Sequence, residues 1–518
     1  MKILTLLLMV VALDCLANLD EDPLAPAPEH TSTTRSIVYE LVDKHYVSRS
    51  INDVLSSKIF DAYLQNMDPG KSYLLQSDID DFEIYRYELD DALRKGNLAP
   101  AYEMWNRYQD RWETRLKKVI DVLGEGIDDY DFTKDEEFLL DRSDSPWATS
   151  DEQLDELWKK RIKLAVLNLR LADKEHHKIQ ETLLKRYQHQ LRMTSQTRRE
   201  DVYQLYINSF TETYDPHTQY FSPRNTENFN INMSLSLEGI GAVLQQDVEF
   251  TKVVNLVTAG PADKSGLLKP NDKIIGVGQG AEGEIVDVIG WRLSDVVQLI
   301  RGKKNTIVRL DIIPADAEAL NSKIIQITRN TVKLEEQTAS SSIIELEQLG
   351  ETHKLGIIDI PTFYSDFKAL KSGDRDYRST TRDVQRLLKE LIAEKVDGII
   401  IDLRNNGGGS LEEARNMTGL FIDRGPIVQI RYKNSRVYTM KDNYPGNIYD
   451  GPLAVVVNRL SASASEIFAG AIQDYQRGIV VGTPTFGKGT VQTIVPLPSS
   501  HGQLKLTQAK FYRISGDS

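Results

Sequence analysis

Cysteine is almost missing from these 518 residues: Cys15 is the only one. Beyond that position the chain can form no disulfide, present no thiolate nucleophile and build no cysteine-ligated metal site. Long apolar runs are scarce as well. The stretch Ile-Leu-Thr-Leu-Leu-Leu-Met-Val-Val-Ala-Leu after Lys2 is too short to cross a bilayer, so no stable membrane span is expected. Positive charge is in deficit, with 63 Lys and Arg against 76 Asp and Glu, a net charge of −13 and a pI near 5.3. That balance argues against nucleic acid or an anionic membrane surface as the main partner.

What is present organises the chain into several units, since a 58.7 kDa polypeptide is too long for one domain. Met1-Lys2, the short apolar run and Cys15-Leu16-Ala17 read as a signal peptide over residues 1–17, cleaved after Ala17. Small residues do not precede Cys15, so a lipoprotein site is not expected. Residues 18–34, rich in Pro, Asp, Ser and Thr, are expected to be a disordered lead-in. From residue 35 to 230 the pattern is helical, with apolar faces beginning at Ile37, Leu41 and Val42 and again along Leu154–Leu171. Asp215-Pro-His-Thr-Gln-Tyr-Phe-Ser-Pro223 interrupts it. His217 there has no cluster of ligand residues beside it and reads as part of a structural turn. Residues 235–332 are β-rich with short helices at 262–267 and 291–300. Residues 338–518 alternate strands and helices, which gives an α/β core with a mixed sheet.

The chemistry concentrates between Asn458 and Gln492. An apolar strand, Leu453 to Val457, runs into Ser461-Ala-Ser463-Ala464-Ser465. An amphipathic helix follows with Ile467, Phe468, Ala471, Ile472 and Tyr475 on one face. A second strand at 479–481 leads to Thr485-Phe-Gly-Lys488-Gly-Thr490. Ser463 at a strand-to-helix turn is a candidate nucleophile, and the amide of Ala464 at the helix N-terminus would face a developing oxyanion. A hydroxyl attacks only when a base takes its proton, and lysine does so only when neutral. Burying Lys488 would serve that end. Lowering its pKa from roughly 10.4 to about 7 implies a differential cost of about 4 to 5 kcal/mol, which a folded core can carry. The glycines on either side of Lys488 are expected to let the backbone pack closely.

Other readings of the same residues remain open at this point. Gly482 to Lys488 matches the spacing of a phosphate-binding loop, yet Gly489 replaces the hydroxyl that would hold magnesium, and a strand follows where a helix is needed. Ser463 with Glu466 three residues on fits a capping box, which requires no catalysis. A Ser-His-Asp arrangement would have to draw on His353 or His501, the two histidines of the C-terminal region, and neither adjoins a motif turn. A second glycine-rich turn supports the catalytic reading. The strand Gly398 to Arg404 ends in Asn405-Asn-Gly-Gly-Gly409-Ser410, whose exposed amides suit a carbonyl oxygen. The alternative is an ordinary flexible turn.

Together, Asp-Leu-Arg-Asn-Asn-Gly-Gly-Gly at 402–409, the Asn458–Tyr475 segment and Gly482–Gln492 resemble the tail-specific, or C-terminal processing, proteases, most nearly their long periplasmic Gram-negative form. The likeness covers most of the chain. It implies a serine endopeptidase with Ser463 as nucleophile, Lys488 as general base, Gln492 orienting the lysine and the amides of Gly409 and Ala464 as oxyanion hole. Asp474 matches an aspartate sometimes placed in that active site; about three helical turns from Ser463, it reads as structural. The unit at 235–332 resembles a PDZ domain, with Gly239, Ile240 and Gly241 in the loop that receives a peptide carboxylate. The resemblance therefore implies a helical N-terminal scaffold, peptide or protein tails as ligands, an adaptor protein as a further partner, and no metal or cofactor. It also implies a periplasmic location, free or at the membrane surface, and a core that runs on past Ser518, so that this chain is expected to be truncated. A noncatalytic PDZ scaffold, with Ser463 only a cap, is the rival.

Overall fold

The computed structural model describes residues 23–317, 321–348 and 350–517. The expected signal peptide lies outside the described residues. The expected disordered lead-in at 18–34 is corrected in its second half, because a helix, Pro28–Lys44, already starts there. Proline at the first helical position sacrifices no hydrogen bond. Thr33 and Thr34 are buried and donate their hydroxyls to carbonyls one turn back, Glu29 O at 2.9 Å and His30 O at 2.8 Å. Polar composition signals disorder only when such side chains find no partner within the helix.

That helix packs with Asp53–Met67, Leu89–Lys95, Ala99–Glu125 and Arg199–Glu212 around a core that includes Phe60, Tyr63, Tyr203, Tyr206 and Phe210. The long helix Ala99–Glu125 reaches beyond this core. Its Leu116, Val119 and Leu123 meet Trp158 and Ile162 of Asp151–Leu171 and Leu183 of His176–Ser195 in a second core. The N-terminal region is thus helical, as its 3.6-residue periodicity predicts.

The middle unit is a β-sheet ordered Ala242–Asp247, Phe250–Leu256, Lys273–Gln279, Ile307–Ile313 and Lys323–Thr328, with Ile285–Asp287 beside the third. Helix Leu293–Ile300 seals it through Val296 and Ile300. Among the described residues, Ala242–Asp247 is an edge strand, paired only with Phe250–Leu256. Gly239-Ile240-Gly241 leads directly into that edge, with Ile240 buried and Gly241 at φ +73. The strand Ser236–Gly239 pairs with Asn330–Lys333 and closes the unit at its base.

The C-terminal region carries the expected mixed sheet. Ser340–Gln348 pairs antiparallel with Glu351–Asp359, and Gly398–Asp402, Leu453–Val457 and Ile479–Gly482 add in parallel. Helices Thr380–Ala393, Leu411–Thr418 and Ala464–Asp474 contribute Val384, Met417 and Phe468 to a core shared with Ile401 and Val455. Parallel strands need cover on both faces, which explains their continuous apolar runs. A second sheet contains Gly425–Tyr432, Val437–Asp442, Thr490–Pro496 and Gln503–Tyr512. Its last strand also pairs with Gln219–Phe221 from the N-terminal region, Tyr220 opposite Leu504. Leu504 and Leu506 of that strand enter the helical core, whereas Ala509 and Phe511 enter the α/β core.

Candidate active site

Two turns meet at the carboxyl ends of the parallel strands. In the first, the Ser461 hydroxyl donates to Leu403 O at 2.8 Å and accepts from Asn458 N–H at 2.9 Å. Asn406 O receives both the Ala462 amide at 3.0 Å and the Ser465 hydroxyl at 3.0 Å. These bonds fix the serine-rich turn against the glycine-rich one. Ser463, partly exposed, is held at φ 55 and ψ −111, a sparsely populated region for a residue with a Cβ. The capping box that the Ser463–Glu466 spacing indicates is present, with the Glu466 carboxylate accepting from the Ser463 amide, so the cap and a catalytic role are compatible at this residue.

The glycine-rich turn needs its glycines. A Cβ on Gly408 (φ +102) would stand 2.8 Å from Ala462 O, 2.8 Å from Ser463 Cβ and 3.2 Å from Ala464 N. On Gly409 (φ +141) it would stand 2.2 Å from Phe363 O, the carbonyl that accepts the Ser410 amide at 2.8 Å. The turn is therefore seated between the strand end and Ser463, with Gly408 as the residue in direct contact. It is pinned rather than flexible.

Glu466 joins the Ser463 turn to the lysine turn. Its Oε2 accepts from the amides of Ser463 at 2.7 Å and Lys488 at 3.0 Å, and its Oε1 accepts from Gly487 N–H at 2.7 Å and the Thr485 hydroxyl at 2.8 Å. The glycines around Lys488 serve a different end from the expected close packing. A Cβ on Gly487 would meet nothing within 4 Å, and that residue is needed for its φ of +87; Gly489 would meet only Phe511 O, at 3.8 Å.

Lys488 donates from Nζ to Gln492 Oε1 at 2.7 Å. Burial, reinforced by the charge of Lys505, pushes the amine down to about 8, while Asp215 and Glu466 act the other way. Gln492 in turn donates from Nε2 to the hydroxyls of Thr490 at 2.9 Å and Thr507 at 3.1 Å. With both amide protons so engaged, its carbonyl oxygen must face the lysine. A register shift between Val491 and Gln492 sets Gln492 opposite Thr507 rather than Gln508; a β-bulge of this kind re-aims a side chain beside a site. The adjoining cleft, about 590 Å³, is lined by Glu466, Gly470, Gln473, Lys488, Thr490 and Arg513.

Asp474 is not brought to this centre. It sits at the far end of helix Ala464–Asp474, roughly 16 Å along the axis from Ser463, and pairs with Arg513. The catalytic assignment carried by the resemblance is thereby corrected to an ion pair. His353 stands 4.0 Å from Asp397, and His501 adjoins Glu200 at 3.1 Å, so neither serves Ser463. His30, Glu200 and His501 form a compact group. There the Ala27 amide donates to His30 Nδ1 at 3.1 Å, which leaves the proton on Nε2 to donate to Glu200 at 3.0 Å. The loop from Gly482 to Lys488 is followed by strand Thr490–Pro496, as the sequence indicates, which disposes of the phosphate-loop geometry. Sequence reasoning treated Glu466 only as a cap and overlooked Thr507 and Lys505. The spacing from Ser463 to Glu466 was the available signal; the strand pairing that supplies Thr507 and Lys505 left none.

The family models agree with this architecture. "Tail specific protease N-terminal domain" matches residues 37–224, "PDZ domain" residues 228–313 and "Peptidase family S41" residues 354–518. The tail-specific protease of Haemophilus influenzae is 39% identical over 502 residues, 95% of this chain and 69% of that protein. The chain belongs to the tail-specific protease family. Shorter relatives of this tail-specific protease include the carboxy-terminal processing protease CtpA of Bacillus subtilis, 32% identical over 58% of this chain and 58% of that protein. The chloroplastic C-terminal processing peptidase of Tetradesmus obliquus is 31% identical over 58% and 62%. Among solved structures, a photosystem II D1 C-terminal processing protease is 27% identical, spanning 61% of this chain and 78% of that one with a TM-score of 0.33. A PDZ domain of a carboxy-terminal protease from Vibrio cholerae, solved in complex with peptide, is 47% identical over 19% of this chain and 99% of that one, with a TM-score of 0.18. The tail-specific protease family is one of S41 serine peptidases with a PDZ domain. Among the described residues no helix is long and apolar enough to cross a membrane.

Proposed function

We propose that this chain is an endopeptidase that cleaves proteins presented by their C-terminal tails, with Ser463 as nucleophile and Lys488 as general base. The observation that carries this reading is the lysine itself: an amine pushed down to about 8, its proton-bearing side directed by Gln492, its turn tied by Glu466 to the turn of Ser463. At pH 7.5 roughly a quarter of such amines are neutral, against about one in a thousand for an ordinary lysine. The neutral amine takes the Ser463 proton as Oγ attacks the scissile carbonyl, and the resulting oxyanion receives the amides of Gly409 and Ala464. The protonated lysine then gives its proton to the departing amine. Water, deprotonated by the same lysine, hydrolyses the acyl-enzyme and restores the serine.

The tail enters as an added strand on the free edge Ala242–Asp247, its carboxylate received at Gly239, Ile240 and Gly241. The enzyme works in the periplasm once residues 1–17 are removed; an amino terminus beginning at Asn18 on the mature protein would bear this out, and an intact Met1 would refute it.

Incubation with an apolar-tailed substrate, without ATP or metal, is expected to give cleavage. Ser463→Ala and Lys488→Ala should each abolish it while tail binding persists. Cleavage by Lys488→Ala would remove the lysine from its assigned role, and binding without cleavage by the unaltered full-length protein would favour a noncatalytic PDZ scaffold.

A further inference from the structure

The catalytic lysine is supported from outside the C-terminal region. Behind Gln492 lies Thr507, whose hydroxyl donates to Asp215 Oδ1 at 3.1 Å. Asp215 belongs to the turn that interrupts the helical region, 292 positions away in sequence. It is heavily engaged. Oδ1 also accepts the amides of His217 at 2.7 Å and Thr218 at 3.1 Å, and Oδ2 accepts the Thr218 hydroxyl at 2.6 Å and His45 Nε2 at 2.6 Å. Thr218 Oγ1 also receives the Thr507 amide at 3.2 Å, and the Thr507 carbonyl accepts the Tyr46 amide at 2.8 Å. The strand bearing Thr507 is thus clamped to the first helix and to the interrupting turn.

The chain of hydrogen bonds has a direction. A carboxylate can only accept, so the single hydroxyl proton of Thr507 points to Asp215, and the Thr507 oxygen is left to accept from Gln492 Nε2. That acceptance turns the Gln492 carbonyl toward Lys488. Burial alone would raise the Asp215 carboxyl, but His45, Thr218 and the His217 amide outweigh it and hold the group well below the usual carboxylate range. It therefore stays ionised wherever the enzyme works.

We infer that Asp215 is a positioning residue for the general base: through Thr507 it sets the orientation of Gln492, and through its charge it offsets Lys505 beside Lys488. The inference rests on the reading of Lys488 as base. The charged and titratable groups that face Lys488 are Lys505 on the neighbouring strand, Asp215 and His217 on the interrupting turn, and Glu466 on the nucleophile helix; Lys510 and Arg513 share its cleft. Lys505 and His217 are themselves pushed down, burial being the first cause of each. The helical region is then part of the active site and not a scaffold alone.

Three variants of the full chain separate the two effects. Asp215→Asn removes a negative charge and lets the side chain donate to Thr507, which reverses the chain's direction. Its kcat should fall by at least about tenfold with KM little changed, and the acid limb of kcat should move to lower pH, because loss of an anion favours the neutral amine. Thr507→Val cuts the chain without altering charge, so kcat should fall while the limb stays in place. Lys505→Gln removes a cation, and the limb should move to higher pH. If Asp215→Asn does not fold, the Thr507 and Lys505 variants decide. An unmoved limb in both charge variants, or an unchanged kcat in Thr507→Val, overturns the inference. Activity surviving in Lys488→Ala would instead overturn the reading beneath it, so the two failures are distinguishable.

Discussion

Lys488 titrates on the alkaline side of neutrality because burial and Lys505 both oppose its charge. Its folded pKa is depressed, so the competent base form accumulates as pH rises through about 8. The logarithm of kcat/KM for a tailed peptide should therefore climb with unit slope below that point and level above it. An acid limb centred near 10 would contradict the buried-amine account. Glu466 is the second residue on which the site depends. Glu466→Ala would release the Ser463, Gly487 and Lys488 amides and the Thr485 hydroxyl together. We expect about a hundredfold loss in kcat for a protein that still folds, since misplacing a catalytic group by 1 Å is enough to cost that much. Steady-state kinetics beside a circular dichroism melt would check both halves. In the sequence Glu466 was legible as a helix-capping acid, and Ser463 and Lys488 as candidates for a reacting pair. That one carboxylate ties the two turns was not, because Gly487 and Lys488 approach it only after a helix and a strand have intervened.

At the scale of elements, local periodicity read well and long-range placement did not. The runs Gly398–Asp402 and Leu453–Val457 and the helix Ala464–Asp474 were legible because burial on two faces or on one stripe leaves its own spacing in the residues. The glycine-rich turn was legible too, though Gly408, and not Gly409, is the glycine that abuts Ser463. Gly408→Ala would drive a methyl against Ala462 O and Ser463 Cβ, each 2.8 Å from the added carbon. We expect a loss of about 2 to 3 kcal/mol in urea unfolding together with nearly complete loss of cleavage. Gly489→Ala, with only Phe511 O at 3.8 Å, should change stability little; equal effects from the two substitutions would refute the steric argument. The start of the first helix was misread because Thr33 and Thr34 look solvent-seeking in isolation and are buried in place.

Across the whole molecule, ionic and hydrogen-bonded seams tie the PDZ unit to the helical region. Asp295, on helix Leu293–Ile300 and almost fully enclosed, accepts from Arg198 at 2.8 Å and Arg224 at 2.5 Å, and Arg292 meets Asp201 at 2.6 Å. Asp295→Ala should cost about 2 kcal/mol, chiefly because it strands the partly buried Arg224 guanidinium, Arg198 being exposed to water. Faster hydrogen exchange in Leu293–Ile300 would report it, with unaltered exchange as the contrary result. These pairings join residues some 70 to 97 positions apart, and no periodicity in the sequence announces them.

The strand Gln503–Tyr512 lends Leu504 and Leu506 to one hydrophobic interior and Ala509 and Phe511 to another. During synthesis the helices at the front of the chain must therefore wait, their interior unfinished, until nearly the last described residues emerge. Asp215 can reach Thr507 only then. A polypeptide that has not yet reached Thr507 therefore holds Ser463 and Lys488 without the hydrogen bonds that join Asp215, through Thr507, to Gln492.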